Sequence, residues 1–136
     1  MTVRLFTPPG MLQPAPYHHV AVGTGSRHVH VSGQVGQRVE EGSAPLTTLT
    51  EQVAQALRNT AVGLAGAGAT FDDVVRMTFY VTQWQPEMIA DLLAGVELVA
   101  AEVGLPMPMP PASLIGVEQL FQLGVLVEVE ATAVCD

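Results

Sequence analysis

Val125-Leu126-Val127-Glu128-Val129-Glu130-Ala131-Thr132-Ala133-Val134, close to the C-terminus, alternates small or β-branched apolar residues with leucine, glutamate and threonine. A period of two belongs to a strand, because successive side chains leave opposite faces of a sheet. Val127 and Val129 therefore point one way while Glu128 and Glu130 point the other. One face of this strand meets a core; the other meets something polar. Val74 to Thr82 alternates in the same manner, with Val75, Met77, Phe79 and Val81 on one side and Arg76, Thr78 and Tyr80 on the other.

The apolar sides of these strands need a cover, and two segments with helical spacing supply it. Thr48 and Glu51 have the spacing of a capping box, and Leu49, Val53, Leu57, Ala61 and Leu64 follow at helical intervals until Gly66 and Gly68. Pro86 suits the first turn of a second helix, whose stripe is Ile89, Leu92, Leu93, Val96, Val99 and Val103, ended by Gly104 and Pro106. His19 to Thr24 and His28 to Gln34 read as a hairpin turning at Gly25-Ser26. Residues 1–17, rich in proline, read as an extended arm, Gly36 to Pro45 as a polar loop, and Pro106 to Pro111 as a rigid connection into the strand Ser113 to Val117. The order is ββαβαββ in a single domain of the α/β (α+β) class, with two helices on one face of a mixed sheet.

The other face carries His28, His30, Ser32, Arg76, Thr78, Tyr80, Leu126, Glu128 and Glu130. It is too mixed for an interior and too apolar at its edges for open water, so packing against sister subunits is expected. Composition agrees: apolar residues make up 49% of the 136, and charged residues only 13%, about half the roughly 25% usual for soluble domains. The formal net charge is −8, and the five basic residues are scattered arginines with no lysine. Nucleic-acid binding needs clustered positive charge, so none is expected; a Schiff-base lysine is excluded as well. Cys135 is the one cysteine, so no disulfide can form within the chain. With no signal-peptide layout and no bilayer-length apolar run, the chain reads as cytoplasmic, without membrane partners.

Six segments in order resemble the Rid family, also called YjgF-type proteins, whose older labels are translation inhibitor and endoribonuclease. They are Ala15-Pro16-Tyr17, Val31-Ser32-Gly33-Gln34, Gln52 to Asn59, Gly66 to Val81, Pro111 to Val117 and Val127 to Ala131. The resemblance runs from about Pro14 to Val134. It implies a chorismate-mutase-like homotrimer with three clefts between subunits, in which deaminating members hydrolyse 2-imino or enamine acids without metal or cofactor. It also implies Glu128 as the water-orienting catalytic glutamate, with Tyr17, Ser32 and Gly33 as substrate contacts.

The family's Pro-Ala-Arg-Ser/Thr reads Pro110-Pro111-Ala112-Ser113 here, so Ala112 stands at the position of the arginine that grips the substrate carboxylate through two parallel hydrogen bonds. Leu114 replaces a cysteine found in many members, and Asp91 falls near a helix position often held by asparagine. Ala112, Ser113, Leu114 and Asp91 are thus expected to line the cleft, and simple 2-imino acids are not its expected substrates.

Other readings stand beside this one. Glu130 can tune Glu128 through like-charge repulsion, or both can pair with Arg76. His19, His28 and His30, if they share a hairpin face, form a possible zinc set, but with no supplementing ligand no metal is expected. His18 and His19 beside Tyr17 are candidate proton shuttles. Met107 and Met109 are expected at an interface. The expected function is cofactor-free acid–base chemistry on an imine, enamine or related carbonyl compound; the alternative is a non-catalytic trimer that binds a metabolite in the same clefts.

Overall fold

The computed structural model describes residues 3–136. Its strands are β1 (Val3–Phe6), β2 (Val20–Gly23), β3 (Arg27–Val35), β4 (Val74–Thr82), β5 (Ala112–Val117) and β6 (Val127–Cys135), and its helices α1 (Leu49–Gly66) and α2 (Ile89–Val103). Four strands form a sheet in the order β3-β6-β4-β5, and β1 and β2 form a separate pair. The β4–β5 pairing is parallel, with α2 in the crossover, whereas β6 runs antiparallel to both neighbours. The sheet is mixed, as expected, with both helices on one side.

The alternation read from β6 holds from Val127 to Ala133: Val127, Val129 and Ala133 are wholly or almost wholly buried, and Glu128, Glu130 and Thr132 lie half-buried on the opposite face, while Val134 beyond them is buried beside Gly23 of β2. Val53, Leu57 and Leu64 of α1 and Leu92, Val96 and Val99 of α2 complete the core over Met77 and Phe79. Burying such side chains stabilises the fold by roughly 1.5–3 kcal/mol each. Thr48 caps α1 by accepting from the Glu51 amide, and Gly104 ends α2 in a left-handed conformation at φ 72°. A short 3-10 turn, Pro86–Met88, precedes α2, so Pro86 opens that turn rather than the helix itself.

Three local expectations are corrected. First, β2 and β3 do not form a hairpin: β2 pairs with β1, and β3 pairs with β6. Gly25 is there for close approach, since a β-carbon on it would fall 2.7 Å from the Cys135 carbonyl carbon. The segment read as an extended arm instead folds back: Val3–Phe6 form the added strand β1, antiparallel to β2, with a turn at Pro9-Gly10 between them. Second, β4 slips register between Val74 and Arg76, so Val74 is the core residue and Val75 turns toward Gly23 of β2. Third, Met109 is buried in its own chain, exchanging backbone hydrogen bonds with Pro16 and His18, and only Met107 is substantially exposed.

Gln52 is a buried polar residue that joins two loops. Its amide nitrogen donates to the Leu46 and Gly124 carbonyls at 2.9 and 2.8 Å, and its oxygen accepts from the Leu126 amide at 2.9 Å. Among the described residues, no helix is long and apolar enough to cross a membrane.

Candidate functional site

The free face of the sheet is organised by register. On β6, Glu128 lies opposite Tyr80 of β4 and Val35 of β3, and Glu130 lies opposite Thr78. The β3–β6 ladder slips between Val31 and Gln34: three steps along β3 match two along β6, which puts Ser32 and Gly33 in a bulge. Glu128 reaches this bulge. A β-carbon on Gly33 would lie 2.6 Å from Glu128 Cγ and would overlap the carboxylate, so glycine there makes room for the acid. The Gln34 side-chain amide donates to the Ser32 carbonyl at 3.1 Å and to its hydroxyl at 3.3 Å, which fixes the bulge.

Beside this pair lies a second polar group. Tyr80 donates its hydroxyl to Glu130 at 2.7 Å. That hydrogen bond, together with burial and the negative charges of Glu130 and Glu128, raises the Tyr80 ionisation above its ordinary 10.0, partly offset by Arg76. Arg76 donates to the Ser113 hydroxyl. Among the described residues no ion pair joins Arg76 to Glu128 or Glu130; in place of that alternative, Arg76 is held by Ser113 and Glu130 by Tyr80.

The remaining expected site residues lie elsewhere. Ala112 is paired with Met77 and Leu114 with Phe79, and both partners are buried beneath the helices. Ala112 and Leu114 therefore face the helix layer, and Ser113 between them faces Arg76. Tyr17 joins Met109 in a parallel bridge and packs against the same core, with its ring edge-on to His19 at 5.2 Å. His19 donates through Nε2 to the Leu12 carbonyl at 2.7 Å, so it does not share a face with His28 and His30 of β3. Asp91 is exposed in the first turn of α2, where its carbonyl accepts from Thr50. One chain thus brings Glu128 against Gly33, with Ser32 next to it in the bulge, and holds Tyr17, Ala112, Leu114 and Asp91 on the other side of the sheet.

The sequence profile of the family described as Endoribonuclease L-PSP matches residues 11–135. The chain belongs to this Rid (YjgF) family. Among solved structures it is similar to the Rid protein YyfB from Yersinia pestis, a protein of unknown function, at 31% identity and a TM-score of 0.83, over 98% of this chain and 99% of that one. It is also similar to Rv2704 from Mycobacterium tuberculosis, at 27% identity and a TM-score of 0.61, over 97% and 98% of the two chains. TdcF from E. coli, solved with bound serine, shares 25% identity at a TM-score of 0.68, over 98% and 99%. No curated protein matches the chain. The Rid fold is thereby shown, with the two helices and mixed sheet read from the sequence.

Sequence reasoning did not find the Tyr80–Glu130 contact. Parity alone puts both residues on the free face, but their pairing needs the β4–β6 register, which joins segments 50 residues apart. The β3 bulge was equally out of reach, although Ser32-Gly33 carries its signal: an isolated glycine within a strand pattern marks a bulge or a close approach.

Proposed function

We propose that the protein is a cytoplasmic Rid-type enzyme performing cofactor-free acid–base chemistry in a cleft on a small imine, enamine or related carbonyl compound. The observation that carries this reading is Glu128 seated against Gly33 in the β3 bulge, next to Ser32 in the chain. A carboxylate held there can orient a water molecule and take its proton, while Ser32 donates a hydrogen bond to the developing charge. Tyr17, Ala112 and Leu114 lie across the sheet, so a complete cleft takes Glu128 from one subunit and Tyr17 from the next. The free face, polar at its centre and carrying Ile115 at 45% exposure, fits a homotrimer closed through that face.

The serine bound to TdcF supports a ligand of amino-acid size. In this chain Ala112 puts a methyl group where an arginine would hold a carboxylate, which favours neutral substrates. The test is a kinetic screen of imines, enamines and enol-type carbonyl compounds, with Glu128→Gln as control. Turnover that the substitution abolishes supports the reading. Turnover that survives it removes Glu128 from the mechanism, and tight binding with no turnover of any compound favours a metabolite-binding trimer.

A further inference from the structure

We infer that the chain carries a second binding site on the helix side of the sheet, for an amphipathic anion: an apolar body with one acidic group and no amine. A cavity of about 550 Å³ lies between the loop that follows β3 and the loop that leads into β6, a volume within the usual range for small-ligand sites. Gly36 in its wall faces α1, since a β-carbon there would fall 2.5 Å from Cα of Gln52. Neither Arg76, Tyr80, Glu128 nor Glu130 lines the cavity. The site is therefore distinct from the free face that neighbouring subunits cover in the proposed trimer.

Two features set the ligand class. The walls are largely apolar, with Leu46, Leu123, Val125 and Leu126 among them, and Leu123 is 94% exposed, so it meets water rather than the core. An apolar ligand that covers it removes that surface from water. The other feature is charge. In a chain with 13 acidic and 5 basic residues, Arg38 is the one charged group in this lining, and Glu40 and Glu41 of the same loop lie outside it. A guanidinium among apolar walls favours an anion, and with no acid beside it an ammonium group finds no partner. Arg38 is anchored by donating to the Ala44 carbonyl at 2.6 Å. The buried Gln52 ties both loops together through Leu46, Gly124 and Leu126. A site shaped before its ligand arrives loses less entropy on binding.

Fluorescence titration of the whole protein tests this with anilinonaphthalene sulfonate and phenylnaphthylamine, which share one ring system and differ by the sulfonate. The sulfonate probe is expected to bind saturably in the micromolar range, about fivefold more tightly than the neutral one. Arg38→Gln should remove that difference, and Leu123→Ser should weaken both probes; both side chains are exposed, and circular dichroism checks that the variants are folded. Glu128→Gln should leave both affinities unchanged. Loss of binding in that variant would place the probes in the proposed cleft and overturn a separate site. The inference also falls if neither probe binds, if the neutral probe binds as tightly, or if folded Arg38→Gln keeps the preference. The probe comparison needs no variant, so it is decisive even if a substitution unfolds the chain. Because no turnover is measured, the outcome is independent of whether the Glu128 cleft is catalytic.

Discussion

Gly33 and Glu128 occupy one space: the room that a β-carbon on the glycine would need is filled by the glutamate's carboxylate. Changing Gly33 to alanine should therefore push the carboxylate aside while leaving the strand in place, since the displaced group is the far end of a flexible side chain. Turnover of any substrate found in the screen should fall by about tenfold or more, with a change in stability under about 1 kcal/mol. Steady-state kinetics and thermal denaturation check this together. Unchanged turnover would separate the bulge from the chemistry.

Simple 2-imino acids should be hydrolysed slowly. A carboxylate entering the cleft must leave water, and at Ala112 it meets a methyl group rather than a guanidinium. Losing such a charge-assisted partner costs roughly 2–5 kcal/mol. A coupled assay that generates imines from amino acids and follows their decay, run beside an arginine-containing relative, measures the difference. Equal turnover by the two proteins refutes the prediction.

Tyr80 should titrate late. Its hydroxyl donates to Glu130, and two carboxylates oppose the phenolate, so ionisation lies above 10.0. In Glu130→Gln it should move back toward the ordinary value, as read by ultraviolet difference titration. The sign for stability follows from linkage: a raised folded pKa stabilises the protein fully below the unfolded tyrosine value, and that contribution is lost as pH rises through the folded one. Glu130→Gln should therefore flatten the loss of stability in the alkaline range.

Gln52→Ala should destabilise the protein by about 2 kcal/mol or more, because the Leu46 and Gly124 carbonyls and the Leu126 amide lose a buried partner together. Urea denaturation measures this. A change below about 0.5 kcal/mol would mean that water replaces the side chain at no cost.

Light scattering should return the mass of three chains at micromolar concentration. A stable monomer would sink both the trimer and the shared cleft.

What was legible in the sequence follows the range of the interactions. The β6 alternation, the stripe from Val53 to Leu64 and the Thr48 cap are local patterns, and each appears in the fold where the spacing put it. Glu128 and Glu130 share a face for the same reason. The β2 partner is not legible, because Gly25-Ser26 has the composition of a hairpin turn, while the competing strand Val3–Phe6 lies beyond a proline-rich stretch. A strict period of two puts Val75 in the core, because it has no room for the slip between Val74 and Arg76. Which residues meet across the sheet depends on register between distant strands, and only the structure supplied Tyr80 beside Glu130 and Ser113 beside Arg76.

The division of Glu128 and Tyr17 between the two sides of the sheet has a genetic consequence. On the proposed reading, no single polypeptide owns a working cleft; every cleft is co-authored by neighbouring chains. Two damaged alleles, one carrying Glu128→Gln and the other Tyr17→Phe, would then complement each other when expressed together, because a mixed ring juxtaposes the intact Glu128 of one product with the intact Tyr17 of the other. Co-expression would yield activity that neither allele has alone.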